Sequence, residues 1–218
     1  MSLQFFGHPF SSYTQKVLIA LYADGTDFDY REVEIQEPMP NATELRRNWP
    51  FGKFPILVDN GKPVIESTVI IDHLQAHHRG PNTWIPEGDS GRHVRFLDRF
   101  FDNYVMTPVQ RIVAEHFRPE GSEDPFGLEQ ARATLNTAYD WIEDNLDGPW
   151  AAGDTFTLAD CASAPALFYA DWVQPLGEKH QKVAAYRARL LAHPEVARCV
   201  NEARPYRKLF PPGAPDRD

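Results

Sequence analysis

The sequence predicts an α/β domain followed by an all-helical domain, and three observations support this division. Up to residue 79, short apolar runs and turns alternate with short helical patterns, in the order βαβ and then αββα. A linker rich in proline and glycine follows over residues 80–91. From Arg92 onwards, turn residues become rare and long helical patterns prevail. We therefore expect domains at residues 1–79 and 92–218.

The α/β domain begins with a predicted strand over residues 3–6, which runs into the loop Gly7-His8-Pro9. A helical pattern covers residues 14–21, and a serine just before it, Ser11 or Ser12, is a natural N-cap. A hydroxyl at this junction lies near free N–H groups and the positive end of a helix dipole, where a thiolate is favoured. Residues 28–35 then predict a second strand, and residues 41–48 a short helix capped by Asn41 or Thr43.

The most informative stretch, residues 49–74, predicts a β-hairpin that leads into a helix. Asn60-Gly61 tolerates positive φ and predicts the turn between strands at 56–58 and 64–65. The bond before Pro55 is a candidate for the cis form, which would leave the backbone of Phe54 free to pair with an extended peptide. Ser67 is the predicted cap of a helix over 68–78, whose free N–H groups would attract a carboxylate, while Glu66 is available for an ammonium group. The stretch therefore predicts a peptide-pairing edge beside an anion site.

The second domain is predicted to consist of helices. Residues 92–117 form one long pattern with a kink at Pro108, and residues 126–146 form its antiparallel neighbour. Thr157 and Asp160 predict a capping box that stabilises the next helix, so we assign them a structural role. Helices over 180–191 and 194–203 follow, and residues 210–218 are expected to form a mobile, polar tail.

Composition narrows the possible functions. A hydrophobic fraction of 42% with 24% charged residues is typical of a soluble globular protein, and no apolar run approaches the roughly 20 residues of a membrane span. No secretory signal is visible, so we expect a cytoplasmic protein without a membrane partner. A net charge of −9 argues against nucleic acid as a partner, and an anionic ligand would need local basic groups such as Lys53.

The cysteines and histidines predict no metal site. Cys161 and Cys199 have no close pairing, so they indicate neither a disulfide framework nor a cysteine-built zinc site. His73 and His77 have a helical spacing that can bind zinc, but the sequence indicates no third ligand.

The order of loop, Pro55, hairpin and Glu66-Ser67 resembles the glutathione-binding half of the thioredoxin-like domain of glutathione S-transferases. Glutathione is an extended tripeptide with an amine and two carboxylates, which fits the site predicted from the hairpin. The resemblance implies that Phe54 pairs its backbone with the cysteinyl unit, that Pro55 is cis, and that Glu66 and Ser67 hold the γ-glutamyl end. It extends through the Thr157 capping box, so it implies the two-domain cytosolic fold with an all-helical second domain.

The N-terminal motif is similar to that of the serine-type members of this superfamily. Gly7-His8-Pro9-x-Ser11 followed by Lys16-Val17 resembles the phi class, and Ser11-Ser12 before Lys16 also fits the zeta class, which has a cysteine where this chain has Tyr13. Both comparisons place the thiol-activating hydroxyl on Ser11, with Ser12 and then Tyr13 as alternatives. The resemblance implies a substrate pocket formed by these residues: Pro9, Phe10, Tyr104, Gln110 and Arg111.

The function that this resemblance implies is a glutathione transferase of detoxification type. Glutathione would be the cosubstrate, a small hydrophobic electrophile the second substrate, and the protein a homodimer. Two alternatives remain open: a glutathione-dependent isomerase, reductase or peroxidase that uses the same thiolate, or a non-catalytic glutathione-binding protein.

Overall fold

A computed structural model describes residues 3–218, and its first part is built on a four-stranded mixed sheet. The strands are β1 (Leu3–Gly7), β2 (Asp29–Glu32), β3 (Ile56–Asp59) and β4 (Lys62–Ile65), arranged in the order β2-β1-β3-β4. β1 and β2 are parallel, because a helix crosses over between them, whereas β3 pairs antiparallel with both β1 and β4. The register places Phe5 opposite Leu57 and Leu3 opposite Asp59.

Three helices cover the two faces of this sheet: α1 (Ser12–Ala23), α2 (Pro40–Asn48) and α3 (Ser67–His77). α1 and α3 pack together on the face towards the second domain. All residues from Thr14 to Leu21 of α1 are buried, since this helix lies between the sheet and the helical domain. α2 covers the other face, where Leu45 packs with Phe6, Val33 and Ile56 in a smaller core.

The second part is helical. It contains α4 (Gly88–Phe100), a π-helical segment (Phe101–Met106), α5 (Thr107–Glu115), α6 (Pro125–Asn145), α7 (Leu158–Val173), α8 (Gln181–Ala192), α9 (Pro194–Ala203) and a 3-10 helix (Arg204–Leu209). α7 is buried along its whole length and contacts α1, α4, the π-helical segment and α8. The Asp160 carboxylate accepts a hydrogen bond from the N–H of Thr157 at 2.9 Å, which completes the predicted capping box at the start of α7. Among residues 3–218, none of the helices combines the length and the apolar character needed to cross a membrane.

The predicted fold class is confirmed, but the long helix expected over 92–117 is not a single regular helix. It begins four residues earlier, at Gly88, inside the expected linker, and is interrupted by the π-helical segment. Thr107 donates its N–H to the carbonyl of Asp102, five residues back, and the next residue, Pro108, has no N–H to donate. The wider turn therefore lies immediately before the expected kink.

Two predicted helix caps are wrong, as is the expected mobile tail. The N–H groups at the start of α2 are satisfied by the Glu34 carboxylate rather than by Asn41 or Thr43. Ser67 is the first residue of α3, and the N-cap is Glu66, at a φ of 77°. The tail packs on the helical domain, because Phe210 is buried and Arg217 forms an ion pair with Asp171.

Candidate functional site

The loop between β1 and α1 is held in one conformation by contacts from both parts of the chain. A Cβ atom on Gly7 would lie 2.5 Å from Cγ2 of Thr14, so the close approach of loop and helix requires glycine here. The amide of Gln15 donates to the carbonyl of Pro9 at 2.9 Å. From α7, the hydroxyl of Tyr169 donates to the carbonyl of Phe10 at 2.9 Å. The loop is therefore preorganised by the contact between the two parts.

Ser11 is the N-cap of α1, as the sequence predicts. Its Oγ accepts a hydrogen bond from the N–H of Thr14 at 3.3 Å. Because this contact uses a lone pair of the oxygen, the hydroxyl proton is free to be donated to a ligand. The free N–H groups of the first helical turn lie beside it and favour negative charge.

Ser11 lines two neighbouring cavities, of which the first is polar. This cavity, of about 550 Å³, is lined by Ser11, Tyr13, Trp49, Gly52, Lys53, Phe54, Pro55, Ile65, Glu66, Ser67, Arg99, Asp102, Asn103 and Gln110. We call it the polar cavity. The predicted cis bond between Phe54 and Pro55 is present. The hairpin and the start of α3 thus bring all five predicted glutathione-binding residues into one cavity, together with Ser11.

A cluster of charged groups adjoins the polar cavity, which two of its members, Arg99 and Asp102, line, and this cluster joins the two parts of the chain. Lys16, on α1, lies 2.6 Å from an oxygen of Asp98 and 2.8 Å from an oxygen of Asp102. The Arg99 guanidinium pairs with both carboxylates, and Thr68 of α3 donates to Asp98 at 2.9 Å. The side chains of Lys16 and Asp98 are each only 1% exposed. We call Lys16, Thr68, Asp98, Arg99 and Asp102 the charge cluster.

Burial and the charge cluster make Tyr13 harder to ionise than an ordinary tyrosine. Burial, with a further contribution from the Asp102 carboxylate, raises the pKa of Tyr13 to about 12. Tyr13 is a neutral phenol at neutral pH, as an unperturbed tyrosine would be, and the raised pKa extends this state to more alkaline pH. It can act as a hydrogen-bond donor or acceptor in the polar cavity.

The second cavity is apolar and lies on the other side of Ser11. It has a volume of about 400 Å³ and is lined by Phe10, Ser11, Ser12, Phe54, Met106, Val109, Gln110, Val113, Ala114, Phe117, Tyr169, Leu209, Phe210 and Pro211. We call it the apolar cavity. Its wall includes an aromatic group in which the rings of Phe10 and Tyr169 lie 5.5 Å apart and those of Tyr169 and Phe210 lie 6.1 Å apart. Three residues, Ser11, Phe54 and Gln110, line both cavities.

Three of the expected substrate-pocket residues lie elsewhere. The Arg111 side chain points away from the pocket and pairs with Asp124, the N-cap of α6, at 3.1 Å. Tyr104 is 54% exposed and packs on Phe100 at the outer surface. Pro9 lines a separate groove on the opposite side of the loop. The π-helical segment shifts the residues after Phe101 around the helix axis, so regular helical spacing could not predict which of them face the pocket.

Comparisons with known proteins identify the family. A family model described as "Glutathione S-transferase, N-terminal domain" matches residues 5–82, and one described as "Glutathione S-transferase, C-terminal domain" matches residues 125–189. A relative from Arabidopsis thaliana named "Glutathione S-transferase U22" is 30% identical over 162 residues, which are 73% of this chain and 68% of that protein. The chain belongs to the glutathione S-transferase superfamily.

Two further glutathione S-transferases are similar to this chain, one in sequence and one in structure. A "Probable glutathione S-transferase" from Nicotiana tabacum is 29% identical over 72% of this chain, and the match spans 66% of that relative, just under two thirds. The crystal structure of a glutathione S-transferase from Methylobacillus flagellatus with glutathione bound superposes on this chain with a TM-score of 0.80. The two sequences are 25% identical, and the match covers 91% of this chain and 98% of that one.

Several residues that line the two cavities were not predicted from the sequence. The polar cavity also includes Arg99, Asp102 and Asn103, and the apolar cavity includes Tyr169 and Phe210. One signal was available in the sequence: Asp98, Arg99 and Asp102 place three charges within about one turn of an apolar helical pattern, and Lys16 places one charge in another such pattern. Their pairing is known only from the structure. No comparable signal marked Phe210, which lies in a proline-rich tail.

Proposed function

We propose that this protein is a glutathione transferase that activates the thiol of glutathione through Ser11 and conjugates it to a small hydrophobic electrophile. The observation that carries the proposal is the position of Ser11 at the boundary between a polar and an apolar cavity. A tripeptide with charged ends fits the polar cavity, and an apolar second substrate fits the apolar cavity. Sulfur at the boundary would meet both Ser11 and the electrophile.

We assign the binding of glutathione to groups that lie in the polar cavity. The backbone of Phe54 would pair with the cysteinyl unit, and Lys53 would attract a carboxylate. The N–H groups at the start of α3, which no side chain caps, are suited to the γ-glutamyl carboxylate. The Glu66 carboxylate is then available for the γ-glutamyl ammonium group. In this assignment residues 1–79 bind glutathione and residues 92–218 supply most of the electrophile pocket.

The chemical step requires a lower pKa of the bound thiol. A free thiol has a pKa of about 8.5, so only a few per cent is ionised at neutral pH. A decrease of about two units requires about 2.7 kcal/mol of preferential stabilisation of the thiolate. A hydroxyl hydrogen bond to an anion contributes roughly 1.5–3 kcal/mol and a helix N-terminus about 0.3–1 kcal/mol. Together the Ser11 hydroxyl and α1 contribute a stabilisation of the required size, and Ser11 keeps its proton.

Ser11 suits this role better than the two alternative residues. Ser12, the first residue of α1, lines only the apolar cavity. Tyr13 lines the polar cavity but not the apolar cavity. The glutathione sulfur must contact both the activating hydroxyl and the electrophile, so of the three residues we assign the one that lines both cavities.

Steady-state kinetics with two electrophiles, an activated aryl halide and an α,β-unsaturated carbonyl, test this function. We expect Ser11→Ala to lower kcat/KM about 10- to 100-fold, the equivalent of one hydrogen bond to an anion, and Ser12→Ala to lower it less than about threefold. Mass spectrometry of the product separates conjugation from isomerisation or reduction. Absence of conjugation with a broad electrophile panel, despite glutathione binding, would contradict the transferase assignment and favour one of the other glutathione-dependent functions.

We also propose that the protein is a cytoplasmic homodimer. Among the seven large hydrophobic side chains that are exposed in the described residues are Phe51, Val69, Phe96 and Tyr104. Val69 and Phe96 lie on α3 and α4, so a partner that covers both helices would bury apolar surface from each part of the chain. Light scattering should give twice the chain mass of 24.9 kDa, and Phe96→Asp should shift the protein towards the monomer. A wild-type monomer at micromolar concentration would refute the dimer.

A further inference from the structure

One cluster of metal-ligand side chains lies outside both cavities. Asp59, at the end of β3, meets two histidines from the C-terminal end of α3. Nε2 of His73 lies 2.9 Å from Oδ2 of Asp59, and Nε2 of His78 lies 2.7 Å from the same oxygen. The three ligand atoms lie within 4.8 Å of one another. We propose that Asp59, His73 and His78 form a binding site for a first-row divalent metal ion such as Zn²⁺.

The spacing of the three ligands fits a small metal ion after a minor adjustment. Zinc binds imidazole nitrogen and carboxylate oxygen at about 2.0–2.2 Å, so two ligand atoms of a tetrahedral site lie about 3.4 Å apart. The two N–O distances of 2.7 and 2.9 Å would therefore have to increase by roughly 0.7 and 0.5 Å respectively. The ion would replace two imidazole protons that now bridge to the carboxylate.

The carboxylate is already oriented for this role. The side-chain amide of Asn60 donates to Oδ1 of Asp59 at 2.7 Å, which leaves Oδ2 directed at the two imidazoles. Such hydrogen bonds to a ligating carboxylate fix its orientation in metal sites. Two imidazoles and one carboxylate are a ligand set suited to Zn²⁺ and its neighbours in the first transition row, whereas Mg²⁺ and Ca²⁺ prefer oxygen ligands alone.

The site is accessible without being fully exposed. The side chains of Asp59, His73 and His78 are 13%, 22% and 14% exposed, so water can supply the remaining ligand. His78 lines an open cavity of about 370 Å³ together with Asp24 and Asp27, whose charges favour a cation, and with the cationic Arg79. Among the described residues, none of the three proposed ligands lines the polar or the apolar cavity. The ion would therefore link β3 to the end of α3 and stabilise the fold without touching glutathione.

The sequence did not suggest this set of ligands. The helical spacing of His73 and His77 drew attention to a different pair, but His77 is exposed and its ring only packs at a tilt against that of His73, with ring centroids 4.5 Å apart. His78 is the C-cap of α3, where the backbone leaves the helix at a φ of −133° and a ψ of 43°. At this point, where the chain leaves the helix, the His78 ring lies against Asp59 at the end of β3.

Calorimetric titration of the chelator-treated full-length protein with Zn²⁺ alone tests the proposal. We expect one Zn²⁺ per chain, with affinity at least about 100-fold weaker in Asp59→Asn and in His73→Ala. His116→Ala, which removes an exposed histidine beyond α5, is the matched control and should bind like wild type. At a free Zn²⁺ concentration of 100 Kd, the melting temperature should rise by about 5–10 °C in wild type and in the control only.

Two results would overturn the proposal. One is that wild type binds no stoichiometric Zn²⁺, in which case the three side chains form only a hydrogen-bonded contact. The other is that Asp59→Asn, with a wild-type circular dichroism spectrum and wild-type glutathione binding, still binds one Zn²⁺ with unchanged affinity. Because the readout is metal binding rather than conjugation, neither result depends on the role of Ser11.

Discussion

Replacement of Lys16 by methionine should strongly destabilise the protein, because Lys16 neutralises two carboxylates that are shielded from water. The variant keeps most of the apolar volume but removes the ammonium group that lies 2.6 Å from Asp98 and 2.8 Å from Asp102. The charge cluster then changes from two positive and two negative charges to one positive and two negative. Arg99 is half exposed and already pairs with both carboxylates, so it cannot take the place of Lys16.

The expected loss is about 3–5 kcal/mol, the cost of leaving a buried charge without its partner. For a chain of this size, each kcal/mol corresponds to roughly 2–4 °C, so the melting temperature should fall by about 6–20 °C. Urea denaturation, monitored by circular dichroism, measures the free energy of unfolding. The second change Asp102→Asn restores the charge balance and should recover part of the loss.

Lys179→Met is the matched control for this measurement. Lys179 also pairs with a carboxylate, that of Asp140 at 2.5 Å, but the two side chains are 66% and 48% exposed. Water and salt screen such a pair, so the urea midpoint of this variant should match that of wild type. A loss of less than about 1 kcal/mol in Lys16→Met would mean that the variant does not leave a buried carboxylate without its partner. The reasoning from burial would then be refuted.

Two further predictions concern buried polar groups. Asp160→Ala removes the acceptor for the N–H groups of Thr157 and Ala151 and for the Tyr186 hydroxyl, so it should cost at least about 3 kcal/mol in urea denaturation. Asp154→Ala, which changes an exposed carboxylate in the turn before α7, is the control and should be neutral. Burial lowers the pKa of His8 below the ordinary value of 6.5, so the unfolded chain takes up a proton first as the pH falls. The free energy of unfolding should therefore decrease as the pH falls below 6.5, until the lowered pKa of the folded state is reached. His8→Gln should flatten this dependence between pH 7.5 and 5.5. An unchanged slope in the variant would mean that other groups cause the pH dependence.

The parts of the fold that the sequence predicted correctly are those fixed by local patterns. The hairpin turn at Asn60-Gly61, the cap at Ser11 and the box of Thr157 and Asp160 each depend on residues within a few positions of one another. The same is true of the cis bond before Pro55, which lies where the motif placed it. Local patterns of this kind were enough to predict two domains of different class.

The features that the sequence did not predict depend on contacts between distant segments. Lys16 meets Asp98 and Asp102 more than eighty positions later, and helical spacing cannot show which charges on two helices face each other. The π-helical segment changes the facing of Tyr104 and Arg111 relative to a regular helix. The tail was expected to be mobile from its composition, but Phe210 is buried in the aromatic wall of the apolar cavity.

The central claim, that Ser11 stabilises the glutathione thiolate, is tested most directly by the ultraviolet band of the bound thiolate as a function of pH. Wild type should ionise the bound thiol about two units below the free value of about 8.5, and Ser12→Ala should behave in the same way. Ser11→Ala should still bind glutathione but lose most of that shift. A wild-type thiol that ionises near its free pKa would contradict thiol activation at this site, and an unchanged shift in Ser11→Ala would move the role to Ser12 or Tyr13.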